Sequence, residues 1–311
     1  MRRLFLALLP LLTLATAVAG CDSQNTGQKP VAQPDSGSSG GETATPSALV
    51  VANWNLEWFG STTEGPTDDT LQATNVAKVM KAMDADLWSM QEVVNTDMFR
   101  KLATDVGEYE ALPGNDASVE GGPQVYANPG EQKLGIIYRK SRLEVTSAKL
   151  VLRDSVTFFN GRAPMEVELS TKPGNTKLTL IVVHLAPGTD SPNYEKRKSA
   201  SAALKAYLDA KPQGANVMIA GDWNDGVLTS SFTGNPSPFS NFNDDPAYAF
   251  TTKDLKSPRY PRVIDHQLVT DDFAAFLVPA TAKVTDGDTL ITNYVNTTSD
   301  HDPVSVRYEM P

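Results

Sequence analysis

The stretch Ile219-Ala220-Gly221-Asp222-Trp223-Asn224-Asp225 sets a carboxylate and an amide two residues apart at the end of an apolar run that starts at Asn216. In an extended chain alternate side chains face the same way, so Asp222 and Asn224 would point together. Gly221 lets the backbone turn or approach another segment closely. Polar groups held at the end of a buried strand cost desolvation unless something binds them. A metal ion, a phosphate or both would meet that need. Standing alone, the stretch would read as a plain Asp-Trp-Asn turn. It does not stand alone.

Other apolar runs also meet groups able to bind metal or move a proton. Leu49 to Ala52 leads into Asn53-Trp54-Asn55, the strand over 86–93 carries Gln91-Glu92, Leu178 to Val183 leads into His184, and Val263-Ile264 leads into Asp265-His266. The chain has three histidines, His184, His266 and His301, each beside such an end. Ser299-Asp300-His301-Asp302-Pro303 places a carboxylate and an imidazole next to each other. A lone histidine is more often a satisfied core or surface group. Three at strand ends with carboxylates favour chemistry, with His266 the weakest because Asp265 alone explains its segment.

The elements that must position these groups show in the hydrophobic periodicity. Strands are predicted over 49–55, 86–93, 134–139, 143–152, 165–170, 178–184, 216–220, 263–269 and 303–308. Val76, Val79, Met80 and Met83 recur at helical spacing in 71–83, and a shorter helix is predicted over 97–106. Pro192 opens a helix with Ala200, Ala203, Leu204, Tyr207 and Leu208 on one face. Residues 226–262 are rich in Pro, Asn, Ser and Gly and read as a long loop that shapes specificity or moves. Alternating helices and strands imply a layered α/β sandwich, and strands that deliver polar groups at one end build a site there.

The remaining composition bounds the setting. Of 311 residues 40% are hydrophobic, enough for one large domain with additional segments. Arg2-Arg3, the apolar run Leu4 to Val18 and Val18-Ala19-Gly20-Cys21 resemble a signal peptide ending in the lipobox of bacterial lipoproteins. The expected organisation is a signal peptide over 1–20, a flexible tether over 21–47 and a catalytic domain over 48–311. Cys21 would carry the lipid, placing the protein on a bacterial envelope membrane, facing the periplasm or exterior. It is the one cysteine in the chain, so an intrachain disulfide or a thiolate zinc site is excluded. Removing residues 1–20 would take away two of the 27 basic and none of the 37 acidic residues, deepening the net charge from −10 to −12. Such acidity disfavours nucleic acid as a partner unless a bound cation reverses it locally.

The order of the motifs resembles the endonuclease/exonuclease/phosphatase superfamily, whose members include DNase I-like nucleases, inositol polyphosphate phosphatases and neutral sphingomyelinases. Asn53-Trp54-Asn55-Leu56 resembles its opening motif, Gln91-Glu92-Val93 its Q-E motif and His184-Leu185 its histidine motif. Gly221-Asp222-Trp223-Asn224, Ile264-Asp265-His266 and Ser299-Asp300-His301-Asp302-Pro303-Val304 complete the set in order. The resemblance implies a four-layer α/β sandwich, two mixed β-sheets packed face to face and flanked by helices.

It also implies roles. Glu92 and Asp300, with Asn55 in or near the shell, would hold Mg²⁺, with Mn²⁺ or Ca²⁺ as alternatives. His301, oriented by Asp265, would be the general base. Asp222 and Asn224 would bind the attacking water and phosphoryl oxygens, and His184 would assist the leaving oxygen. Arg162, in Asn160-Gly161-Arg162-Ala163-Pro164, resembles a phosphate-binding arginine, and a Gly-turned surface arginine is the competing account. Glu57 stands where some relatives carry a metal-binding carboxylate, with an exposed glutamate as the alternative. The partner of His184 falls to Glu131 or Gln132. The tryptophans, Trp58 among them, read as core or cleft wall. The expected function is a metal-dependent phosphodiester hydrolase, a DNase I-like endonuclease acting on nucleic acid. The alternative on the same fold is a phospholipid or sugar-phosphate phosphatase, or a sphingomyelinase-like phosphodiesterase. A scaffold kept only for binding is a third reading, and no protein partner is implied.

Overall fold

Along the strand Ser47–Phe59 (β1), Leu49 and Val51 face one apolar cluster while Ala52 and Trp54 face another. A strand buried on both faces must lie between two layers, and this alternation sets the architecture. The computed structural model describes residues 47–310. The leader, the tether and Cys21 lie outside the described residues. The other strands are β2 Leu87–Val93, β3 Tyr109–Pro113, β4 Val119–Glu120, β5 Lys133–Arg139, β6 Leu143–Leu150, β7 Met165–Thr171, β8 Lys177–His184, β9 Val217–Asp222, β10 Tyr248–Phe250, β11 Asp265–Thr270, β12 Lys283–Val284 and β13 Val304–Met310. One mixed sheet runs β12-β13-β1-β2-β5-β3, the other β10-β11-β9-β8-β7-β6-β4. Leu87, Ile136, Val167, Leu180, Met218 and Val306 fill the space between the sheets. The four-layer sandwich inferred from the sequence is the fold.

Helices cover the outer faces. Asp69–Met83 starts where the Asp68 carboxylate accepts from the Leu71 N–H (2.9 Å) and stops at Asp84, whose φ of 49° is left-handed. It buries Val76, Val79 and Met80 with Trp54 and Trp88 against the first sheet. Ser191–Asp209 is capped by Asp190, carries Pro192 in its first turn and packs Ala200, Leu204 and Leu208 on the second sheet.

The segment 226–262 departs from its reading as an open loop. It contains the turn of helix Ser240–Asn243 and β10, and its Phe239, Phe242 and Phe250 surround Trp223 edge-on at centroid distances of 4.9, 6.3 and 5.0 Å. Aromatic packing on a tryptophan directly after Asp222 ties this segment to the site strand, which polar composition alone concealed. The segment is also held at its start. Asp225 and Arg197 are fully buried and paired through Arg197 Nε and Nη2 to Asp225 Oδ2 at 3.1 and 3.0 Å. The same carboxylate accepts from Ser230 Oγ (2.8 Å) and the Gly226 N–H (2.9 Å). Asp225→Ala would strand the guanidinium in the interior, so a stability loss of about 3–5 kcal/mol is expected in chemical denaturation.

Candidate active site

The inter-sheet core ends in polar groups on the same alternation that builds it. Leu49 and Val51 are followed on that face by Asn53 and Asn55, Leu178, Leu180 and Val182 by His184, and Met218 and Ala220 by Asp222. On β11 the order is reversed, with Asp265 preceding Gln267 and Val269. Register completes the convergence: His184 pairs with Asp222 across the parallel β8–β9 ladder, and Asp222 with Asp265 across the antiparallel β9–β11 ladder. β13 runs antiparallel to β1, Asn53 opposite Val304, which carries Ser299 to Asp302 to the same end. Ser299 Oγ donates to the Asn55 carbonyl (2.7 Å) and accepts from the His301 N–H (3.0 Å), locking that loop in place.

Asp222 lies at the centre. Its Oδ2 accepts from Asn55 Nδ2 and Asn224 Nδ2, both at 3.0 Å, and its Oδ1 from the Asn224 N–H at 2.8 Å. The same Oδ2 stands 3.5 Å from His184 Nε2 and 3.8 Å from His301 Nε2. Burial raises its pKa to about 7, with the Asp265 charge adding to the rise and His301 and the amide donors opposing it.

The two imidazoles are driven in opposite directions. His301 donates from Nδ1 to Asp265 Oδ2 at 2.7 Å. Burial works against its charge, yet the Asp265 and Asp222 carboxylates outweigh burial and hold its pKa well above the usual value. His184 is buried, its Nδ1 has no hydrogen-bond partner, and burial with the Arg162 and His301 charges holds it well below. The expected His184 partner is therefore missing: Gln132 Oε1 accepts instead from Arg162 Nη1 (3.0 Å), and Glu131 is exposed. His266 stays apart from this site, its Nδ1 3.0 Å from Thr252 Oγ1 and its ring on Phe250, with burial lowering its pKa to about 4.

A second group of carboxylates sits beside Asp222. Four non-glycine residues here have left-handed backbones: Glu57 (φ 50°), Trp58 (52°), Glu92 (62°) and Asn224 (54°). Register shifts in β1 after Asn55 and in β2 after Met90 accompany them. Bulged, strained strand ends of this kind re-aim side chains at functional sites. Glu92 accepts from Asn55 Nδ2 and from the Trp58 N–H, each at 3.0 Å. Burial, then the charges of Asp300 and Glu92, push Glu57 up to about 7. Glu57 Oε2 is buried without a hydrogen-bond partner. Glu57, Glu92 and Asp300 are three carboxylates that repel one another, one with an orphaned oxygen, and their hard oxygens are of the type a divalent cation takes. Ligand atoms of Asp222, Asp265 and His301 also lie within 4.8 Å of one another. Both Asp265 oxygens are already engaged, by Asn53 Nδ2 (3.0 Å) and by His301, so that trio fits an oriented imidazole better than an ion cage.

A family model for the endonuclease/exonuclease/phosphatase family matches residues 52–301. The chain belongs to the endonuclease/exonuclease/phosphatase family. It is thus a phosphoric ester hydrolase, with the fold of that family. Similar solved structures include TDP2 of D. rerio in complex with a single-strand DNA product, 15% identical over 84% of this chain and 99% of that one, with a TM-score of 0.62. A family protein of Bacteroides vulgatus is 14% identical over 85% and 100%, also at 0.62. The mannosyl-6-phosphatase Bt3783 of Bacteroides thetaiotaomicron is 14% identical over 83% and 98%, at 0.53. At these identities the likeness is one of fold. No curated protein sequence matches the chain.

The geometry of this family phosphoesterase gives the remaining expected residues their partners. Asn55 bridges: its Oδ1 accepts from the Glu57 N–H (3.0 Å) while its Nδ2 joins Glu92 to Asp222, so it holds these two carboxylates together. Asn224 spends its Nδ2 on Asp222 Oδ2 and the Leu185 carbonyl (3.1 Å), so it steadies Asp222. Arg162 lies at the His184 end, donating to the His184 and Leu185 carbonyls at 3.4 and 3.2 Å, with no carboxylate ion pair among the described residues. Asp300 sits at the rim, its side chain 44% exposed.

Two residues had been read only as motif letters. Gln91 Nε2 donates to Asn53 Oδ1 (3.0 Å), and Asn53 Nδ2 donates to Asp265 Oδ1, forming a buried relay behind His301. Their position on the inward face of β1 and β2 was the available signal. Asn53→Ala should lower kcat by about 10-fold with KM little changed, because it loosens the carboxylate that orients His301.

Proposed function

We propose that this phosphoesterase is a divalent-metal-dependent phosphodiesterase acting on nucleic acid, a DNase I-like endonuclease, anchored to the bacterial envelope through acylated Cys21. The observation that carries the reading is the placement of one carboxylate oxygen of Asp222 between two imidazoles at 3.5 and 3.8 Å, beside a separate carboxylate cluster. Two proton-handling groups on either side of a base suit a displacement in which water enters and an alkoxide leaves. The cationic groups are few, Arg162 and His301, which suits a phosphodiester with one negative charge.

Glu57, Glu92 and Asp300 would hold the cation. When bound it supplies positive charge to a phosphoryl oxygen. Asp222, with a pKa of about 7, takes a proton from the attacking water near neutrality. His301, protonated and oriented by Asp265, presents Nε2–H to the charge that develops on the phosphoryl group or leaving oxygen. This division of labour differs from the expected one, in which His301 was the base: with Asp265 and Asp222 beside it, the imidazole is the charged partner. His184, held neutral, has Nε2 3.7 Å from Glu92 Oε1 and faces the site without carrying charge.

The D. rerio TDP2 complex with single-strand DNA supports nucleic acid as the substrate class. The mannosyl-6-phosphatase supports a sugar-phosphate substrate as the second reading. Supercoiled plasmid incubated with the purified protein and Mg²⁺ should be nicked and then linearised, with EDTA abolishing cleavage. Intact plasmid alongside hydrolysis of sugar phosphates or phospholipids would replace the nuclease reading with the second one.

A further inference from the structure

On the His184 side of the site lies a cleft of about 310 Å³ that none of the steps above uses. Its walls include Trp58, Tyr126, Gln132, Asn160, Gly161 and Arg162. It joins the site at two points: the Trp58 N–H donates to Glu92 Oε2, and Arg162 donates to the His184 and Leu185 carbonyls. The cleft therefore adjoins residues that hold Glu92 and the end of the His184 strand in place.

Trp58 differs from the other three tryptophans. Trp54, Trp88 and Trp223 are fully buried, whereas Trp58 is half-buried with a left-handed φ of 52°. Bulky residues adopt that conformation rarely, and here it turns the indole out of the core to form a cleft wall. Tyr126 is 4% exposed, and its hydroxyl has no hydrogen-bond partner.

Glu131 lines the rim as an exposed carboxylate, and the two amides of the wall offer donors. Gln132 Oε1 is taken by Arg162 Nη1, and Asn160 Oδ1 by Lys196 Nζ at 3.1 Å. Each amide is thereby oriented with its NH₂ as the unclaimed end. Gly161, with φ 88° and open space around it, leaves the rim uncrowded. An aromatic wall with donors at its edge suits a flat ring that carries carbonyl oxygens. Sugar hydroxyls call for paired donors and acceptors, and a second phosphate has no use for the indole. The volume suits one ring system.

We propose that this cleft holds the base of a nucleotide whose phosphate occupies the site, the ring stacked on Trp58 and its carbonyl oxygens accepting from Gln132 and Asn160. The proposal rests on the nucleic-acid reading above and adds a place where a base is held. Calorimetric titration in EDTA, where no turnover intervenes, would compare thymidine 5′-monophosphate with 2-deoxyribose 5-phosphate. The shared phosphate cancels, so the difference isolates the base. The nucleotide is expected to bind roughly 10-fold more tightly and to quench tryptophan fluorescence, since base–aromatic stacking carries that range. Trp58→Ala should erase the difference, and Trp58→Phe should keep part of it. Equal binding of the two ligands to the wild type, or a preference that survives Trp58→Ala, would overturn the proposal. Plasmid cleavage without any base-dependent binding removes the cleft assignment and leaves the phosphodiesterase. Base-dependent binding with no hydrolysis of any nucleic acid does the reverse.

Discussion

Asp222→Asn is expected to lower kcat by about 10³-fold while making the folded protein more resistant to denaturant above neutral pH. The rate loss follows from removing the one carboxylate that both imidazoles address, within the range general-base catalysis supplies. The stability gain follows from its pKa. A carboxyl raised to about 7 in the fold, from an ordinary value of 3.8, contributes fully to stability only below the unfolded value. That contribution is lost as pH rises through about 7, and an amide loses nothing. The midpoint difference between variant and wild type should therefore grow from pH 4 to pH 7 and level off beyond, with part of the gain offset because His301 loses a charged partner. In the wild type, kcat/KM should rise through about pH 7 as Asp222 ionises and fall at higher pH as His301 loses its proton. A variant within 10-fold of wild type, or a flat profile between pH 6 and 8, would end the assignment of Asp222 as base.

Asp265→Asn should cost about 10³-fold in kcat and should also move the descending limb of the pH profile toward acid. Asp265 accepts at 2.7 Å from His301 and is the largest of the charges that raise it. An amide there can still hydrogen-bond, but it supplies no charge and permits the wrong tautomer of the ring. Losing the carboxylate thus lowers the His301 pKa, and the protonated form disappears at lower pH. A purely structural role would lower the rate without shifting the limb, so the profile separates the two accounts.

The site strands were legible because their pattern is local. Leu178, Leu180 and Val182 alternate inward and the next inward position is His184; Met218 and Ala220 are followed in the same way by Asp222. Period-two alternation fixes which side chains share a face, whatever the sheet's partners are. The short strands β3, β4, β10 and β12 carry two to five residues each and gave no such signal. The 226–262 segment reads as a loop because its turn residues dominate its composition, while its three core phenylalanines are too widely spaced for a periodic pattern.

Residue types and their order along the chain determined the set of chemical groups, the layered α/β class and the end of the sheets at which a site would form. Charge states and partners were decided only by the tertiary structure. Glu57 could have been a solvated glutamate until folding set it beside Asp300 and Glu92, and Asn55 meets its two carboxylate partners only in the fold. His184 and His301 are the same residue type, yet one is held neutral and the other charged. The reason is that a pKa depends on distances of a few ångströms between groups that can lie more than two hundred residues apart, and on how much water the packed sheets exclude. Sequence specifies the strands that bring such groups to one edge; only their packed arrangement sets the fields they feel.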